Sequence, residues 1–223
     1  MFKPFLTGAV FVVTAVPSLL QFVVPGLEPA LMRDPAAISG GEWWRLATAL
    51  VVQDGGVFGT LFNLAFLAVL GYVAEHAFGP ARWLLLYVSG AVAGEAAGHL
   101  LNDPGAGNSI ALCGLAAGLA LAAPGTLERS LGAFYAVVLA ISMLAGSGTV
   151  GVILMVVLAG AGFQLVARRD RVPAWLFTAV PVTVAAPLTA LRDLHGFALL
   201  AGIIVGWILT GKYASTSTPT KPA

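Results

Sequence analysis

The sequence predicts an all-α polytopic membrane protein, a helical bundle of eight transmembrane helices, and three observations lead to that class. Of the 223 residues, 59% are hydrophobic and only 9% are charged, whereas about a quarter of a soluble domain is charged. Mean hydropathy is +0.94. The apolar residues also fall into runs close to the roughly 20 residues that a helix needs to cross a bilayer, and the basic residues between the runs are distributed unevenly.

The first run, 5–24, has only Lys3 before it and no small-x-small cleavage site before Pro25, so it reads as a retained span rather than a cleaved signal. The others are 58–78, 82–101, 109–123, 127–146, 148–167, 172–190 and 194–211. The fourth is short. The seventh carries Pro173, Pro181 and Pro187, tolerated in a membrane helix where neighbours or water satisfy the carbonyls that proline frees. A single transmembrane domain, 1–212, and a polar, disordered tail, 213–223, account for the chain.

Placing the N-terminus in the cytoplasm puts eight of the eleven basic residues inside: Lys3, Arg82, Arg129, Arg168, Arg169, Arg171, Lys212 and Lys221. Only Arg33, Arg45 and Arg192 fall outside, as the positive-inside rule requires. The expectation is a multi-pass protein of the cell membrane with both termini cytoplasmic. A net charge of +1 argues against a nucleic-acid surface. The lone Cys113 excludes an internal disulfide and a thiolate metal cluster; no metal and no other cofactor is among the expectations.

The first loop, 25–57, is too long for a turn and contains GGEWWRLATAL, residues 40–50. Trp43 and Trp44 suit a membrane interface, and Arg45 is placed to reach headgroups or loop carbonyls. Small residues recur every four positions on three spans: Gly90, Gly94 and Gly98; Gly114 and Gly118; Ala198, Gly202 and Gly206. Such faces let backbones approach closely in lipid. His195 lies on the last of these faces, three, seven and eleven residues before its small residues, and therefore points at a packed neighbour. A histidine there is either a hydrogen-bonding brace or a functional group. Ser109 opens the fourth span at the same membrane depth, and a serine hydroxyl becomes a nucleophile when an imidazole takes its proton.

The order of these features resembles the rhomboid family of intramembrane serine proteases. The resemblance rests on Trp44 and Arg45 in the first loop, FNLAFLAVLGYVAE at 62–75 followed by Gly79 and Arg82, and LLLYVSG at 84–90. It continues with GNSI at 107–110, running into Gly114 and Leu115, and with HGFALLAG at 195–202, which contains Gly202. It implies a rhomboid-like bundle, here a six-helix core plus two, and a Ser-His dyad needing no aspartate. Ser109 would be the nucleophile and His195 the general base, with the oxyanion held by the Ser109 backbone N–H and the Asn63 side-chain amide. Gly107, Gly114, Gly202, Trp44 and Arg45 would be fold motifs. The substrate would be a transmembrane segment of another membrane protein entering beside the first loop, with water arriving through LNDPGAGNS at 101–109.

The chain departs from that pattern at four positions. Gly59 stands where rhomboids usually carry a histidine, which removes one oxyanion donor, and Ile110 replaces the glycine after the nucleophile. Cys113 replaces an aromatic residue, and Ala198 replaces a glycine. Eighty-six positions separate Ser109 from His195, which three intervening spans fill; a six-span version with a re-entrant segment is the alternative. Elsewhere, Glu95 and His99 form a structural pair or a proton path, with a hydrogen bond to a neighbouring helix as the simpler account. Glu75 and His76 sit near Arg82 without assigned chemistry, Cys113 is packing, and Asp193, two residues before His195, shares no helical face with it and completes no triad.

Two functions follow. One is an intramembrane serine endopeptidase acting through Ser109 and His195. The other is a catalytically impaired rhomboid-like protein that binds transmembrane clients without cleaving them. The retained serine and histidine favour the first, Gly59 and Ile110 the second. A small transporter using Glu95 and His99 is weaker, because no pair of broken helices occurs in matching halves.

Overall fold

Each apolar run becomes one long helix, and the breaks fall where glycine or proline interrupts the pattern. The structure, a computed structural model, describes residues 5–144 and 147–214. In chain order the helices are α1 (Phe5–Leu20), three short loop helices α2 (Leu27–Leu31), α3 (Pro35–Ser39) and α4 (Arg45–Thr48), then α5 (Gly56–Phe78), α6 (Pro80–Leu100), α7 (Ser109–Ala122), α8 (Thr126–Ser142), α9 (Gly148–Ala167), α10 (Ala174–Ala190) and α11 (Leu194–Ala214). Among the described residues there is no strand, only an isolated bridge between Arg33 and Gly105. Gly79, at φ 76°, ends α5, and Pro80 starts α6, where its missing N–H costs nothing. Pro181 and Pro187 lie inside α10 without breaking it.

Among the described residues the fold is therefore the expected all-α bundle of eight long helices, and α8, α9 and α10 are full helices rather than a re-entrant segment. Some ends differ from expectation. The first helix stops at Leu20, with turns over the next residues, and α8 stops at Ser142. The expected tail, 213–223, falls outside the described residues except for its first two, which continue α11. Gly56–Phe78 and Gly148–Ala167 are each long and apolar enough to cross a bilayer.

The inside-out distribution of polarity marks an integral membrane protein. Phe58 is 90% exposed, Trp207 72% and Val150 69%, while Arg33, Gln53, Glu75, Glu95 and Asn108 are buried. Apolar side chains exposed all round a helix bundle suit lipid and would be a large liability in water.

At the centre stands α7, in which every residue except Ser109 and Leu121 is buried. Alanine and glycine make it thin, so its neighbours reach its backbone. A Cβ on Gly114 would collide with the Leu86 carbonyl of α6, and one on Gly202 of α11 would lie 2.8 Å from Gly114 Cα. A Cβ on Gly132 of α8 would lie 2.7 Å from the Ala120 nitrogen. These approaches replace the hydrophobic force that lipid does not supply with close van der Waals packing. The outermost helix, α9, packs chiefly on α8.

The branched side chain of Gly114→Val would wedge α7 away from α6 and α11, and overpacking of this kind costs about 3 kcal/mol. A clear fall in the thermal unfolding midpoint in detergent is expected. Gly160→Ala, at a position with nothing within 4 Å of the added methyl, is expected to leave that midpoint unchanged.

Candidate active site

Ser109 is the first residue of α7 and His195 the second of α11. The two helices begin at the same end of the bundle and are locked side by side at Gly114 and Gly202, so their first turns face each other. Ser109 Oγ lies 2.9 Å from His195 Nε2 across 86 residues of sequence. Because Ser109 starts its helix, the N–H groups of that turn have no carbonyl a turn back to bond. The first backbone bond there is Leu112 N–H to the Asn108 carbonyl, at 3.0 Å. The turn thus presents free donors and the positive end of a helix dipole beside the hydroxyl.

The segment before Ser109 is stitched to the first loop. Arg33 and Gly105 exchange backbone bonds of 2.8 and 3.1 Å, and Gly107 N–H donates to the Ala49 carbonyl at 2.8 Å. Ala106 N–H donates to Asp54 Oδ2 at 2.9 Å. Arg33 is buried, and its Nε donates to the Asp103 carbonyl at 2.8 Å. Its Nη1 lies 3.1 Å from Glu95 Oε2, an ion contact without hydrogen-bond alignment. The guanidinium rests against Gly98 of α6, where any side chain would collide with it. Thus the Glu95 expected to bond a neighbouring helix instead meets a loop arginine, and His99 packs edge-on against Trp43 at 6.4 Å.

Asn63, on α5, faces the same point. Its Nδ2 donates to Gln53 Oε1 at 2.7 Å, and Gln53 Nε2 donates to Asn108 Oδ1 and Ser18 Oγ, each at 3.3 Å. Gln53 N–H in turn donates to Gln21 Oε1 at 2.9 Å. Gly107 adopts φ +146°, and a Cβ there would stand 3.6 Å from both Asn63 Nδ2 and Ser109 Oγ. That point adjoins a cavity of about 70 Å³ lined by Arg33, Asp54, Gly107, Ser109, Ile110 and His195. Ser109 and His195 therefore face one small polar space, with the Asn63 amide beside it.

The departures from the family pattern have local explanations. Ile110 is buried, and its side chain fills the space beside Gly94 of α6, where a Cβ would come within 2.7 Å of it. At Gly59 nothing lies within 4 Å of where a Cβ would be, so the missing histidine leaves room. Cys113 is fully buried in the core of α7. Trp44 is exposed, while Arg45 donates from Nη1 to the Pro29 and Met32 carbonyls at 2.9 and 3.0 Å and from Nε to Glu42 Oε2 at 2.6 Å. Glu75 does not act at its own helix end. Its carboxylate accepts from the Leu6 and Thr7 backbone N–H groups at 2.9 and 2.7 Å, capping α1.

One expectation is overturned. Asp193 does meet His195: its Oδ1 accepts from the His195 backbone N–H at 2.8 Å and lies 2.8 Å from ring Nδ1. Asp193 precedes α11 and caps it, so helical periodicity does not govern where its side chain points. Burial pushes its carboxyl upward, but the hydrogen bonds and charge of His195 outweigh this and hold it below the ordinary aspartate value. Aspartate as a favoured N-cap residue just before an apolar run was the signal available in the sequence. Tyr135 of α8, whose hydroxyl donates to the Ser109 carbonyl at 3.3 Å, and Gln53 carried no such signal.

Comparison with known proteins identifies a family for the chain as a whole. The sequence pattern of the Rhomboid domain matches residues 40–215. Rhomboid protease GluP of Bacillus subtilis (strain 168) is 34% identical over 83 residues, which are 37% of this chain and 16% of that protein. The putative rhomboid protease YdcA of the same organism is 30% identical over 90 residues, 38% of this chain and 44% of that protein. The chain thus matches less than half the length of either relative. No solved structure matches significantly.

Removing one partner of a buried ion pair strands the other, at a cost of about 3 kcal/mol. Glu95→Gln is therefore expected to lower the unfolding midpoint in detergent, whereas the double change Arg33→Met with Glu95→Leu should restore most of it.

Proposed function

The chain belongs to the rhomboid family, and from that premise we propose that it is an intramembrane serine endopeptidase that cleaves transmembrane segments of other membrane proteins through Ser109 and His195. The observation that carries this reading is the 2.9 Å contact between Ser109 Oγ and His195 Nε2, inside hydrogen-bond range and beside a turn of unpaired N–H donors. His195 Nε2 takes the hydroxyl proton as Ser109 Oγ bonds to the scissile carbonyl carbon. The developing oxyanion is held by the Ser109 N–H and Asn63 Nδ2. When the tetrahedral intermediate collapses, the C–N bond breaks and the imidazolium gives its proton to the leaving amine. Water then attacks the acyl ester, with His195 again accepting a proton; the C–Oγ bond breaks, the imidazolium returns its proton to Ser109 Oγ, and the new carboxyl end departs.

Gln53 orients the Asn63 amide by occupying one of its two hydrogens, which leaves the other for the oxyanion. The substrate helix is locally unwound at small or helix-breaking residues, and it enters beside the first loop. The basic residues support a position in the cell membrane with both termini cytoplasmic, so that the dyad opens toward the outer face. The absent histidine at Gly59 favours a second reading, a client-binding protein that does not cleave.

Labelling of detergent-solubilised protein by a fluorophosphonate tests the two. The native chain is expected to label, Ser109→Ala and His195→Ala not at all, and Asn63→Ala about 10²-fold more slowly, the usual effect of losing one oxyanion donor. Absence of labelling in a folded native chain would favour the client binder. Gly59→His, which fills open space, is expected to speed labelling by up to about 10²-fold, since it restores a donor of the same kind.

A further inference from the structure

The three helices between Ser109 and His195 do more than lengthen the chain. The joint from α10 to α11 is only Leu191–Asp193, and it is held tightly. Arg192, at φ 61°, turns the chain, and its N–H donates to the Thr189 carbonyl at 3.0 Å. Asp193 N–H donates to the Leu188 carbonyl at 2.9 Å, and Gly196 N–H donates back to the Asp193 carbonyl at 3.0 Å. A Cβ on Gly196 would lie 2.7 Å from Thr189 Oγ1, so glycine is required for the two helices to close. The end of α10 thereby fixes the backbone of Asp193, and with it the carboxylate.

From this geometry we propose that Asp193 is the positioning residue of the active site, making the dyad a Ser109–His195–Asp193 triad. A carboxylate can only accept, so the 2.8 Å contact requires the proton on His195 Nδ1. That tautomer leaves the Nε2 lone pair directed at the Ser109 hydroxyl. The same Oδ1 accepts the His195 backbone N–H, so ring and main chain are registered to one atom. As the imidazole takes the serine proton, the carboxylate stabilises the positive charge.

Other charged and titratable groups lie near the ring, but among the described residues only Ser109 and Asp193 are bonded to it. Arg33 and Asp54 share the cavity, yet Arg33 pairs with Glu95 and Asp54 accepts from Ala106 N–H. The Cys113 thiol of α7 is fully buried, and Arg192 is the neighbour in the same turn. Asp193 is the carboxylate bonded to the imidazole.

The catalytic consequence rests on the endopeptidase reading, so the experiment has a readout independent of it. Full-length protein carrying ¹⁵N-histidine is titrated by NMR in detergent, with His195→Gln assigning the ring. Native protein is compared with Asp193→Asn and Asp193→Ser, uncharged changes that both keep a good helix cap. The native ring is expected to be Nδ1-protonated, and in both variants it should give up its imidazolium proton at a pH lower by about one unit, tenfold in the equilibrium. Fluorophosphonate labelling at neutral pH should slow about 10²-fold, and its acid limb should move to lower pH. This is less than the roughly 10⁴-fold of a soluble triad, because the two side chains are 27% and 31% exposed. An unchanged tautomer and titration in both variants would overturn the proposal and reduce Asp193 to a helix cap. A native protein that does not label, yet shows the shifted titration, would overturn the endopeptidase reading and leave the pairing standing.

Discussion

Backbone-to-backbone packing at Gly114 is the constraint on which the rest of the molecule depends. On one side Gly114 admits the Leu86 carbonyl of α6, and on the other the Gly202 region of α11. Neither approach tolerates a side chain, so α7 can be reached by both neighbours only while it stays thin. The consequence lies about one and a half to two turns away, where α7 and α11 begin. Their relative height and separation at Gly114 and Gly202 set the distance between Ser109 and His195. A serine and a histidine distant in sequence come within a hydrogen bond because two stripes of small residues interlock, not because either side chain seeks the other.

A second constraint is the solvent. Lipid cannot satisfy a polar group, so each polar side chain that enters the bundle needs a partner inside it. Gln53 is the clearest case: its carboxamide and backbone together join Ser18, Gln21, Asn63 and Asn108, linking α1, the first loop, α5 and the start of α7. Arg33 plays the matching part on the other side, holding Asp103, Gly105 and Glu95. Between these two hubs the loop before Ser109 has little freedom. A preorganised donor is worth most where water is scarce, and the groups that make the loop rigid are also those that surround the reacting position.

Of the three helices α8, α9 and α10 that lie between Ser109 and His195, two reach the site. Tyr135 of α8 donates to the carbonyl of Ser109, and α10 delivers Asp193 to the imidazole. Compensation is visible at Ile110 as well. Its bulk is taken up by Gly94 on α6, so the residue after Ser109 packs into the core.

Helix number, the membrane character of the chain and the candidate pair Ser109 and His195 were legible in the sequence, because they follow from run length, composition and residue type in order. So were the paired stripes at Gly114 and Gly202, where spacing alone defines a face, while Asn63 came from the resemblance to the family. The partners that complete the site were not. Gln53 and Arg33 lie in the irregular first loop, where no period relates a residue to a direction, and Tyr135 looked like any buried aromatic on a helix. Asp193 was misjudged because helical periodicity was applied one residue outside the helix. Local spacing determines which way a side chain points along a regular element; which groups then meet is decided by how the elements pack, and here close contact at glycine made that decision.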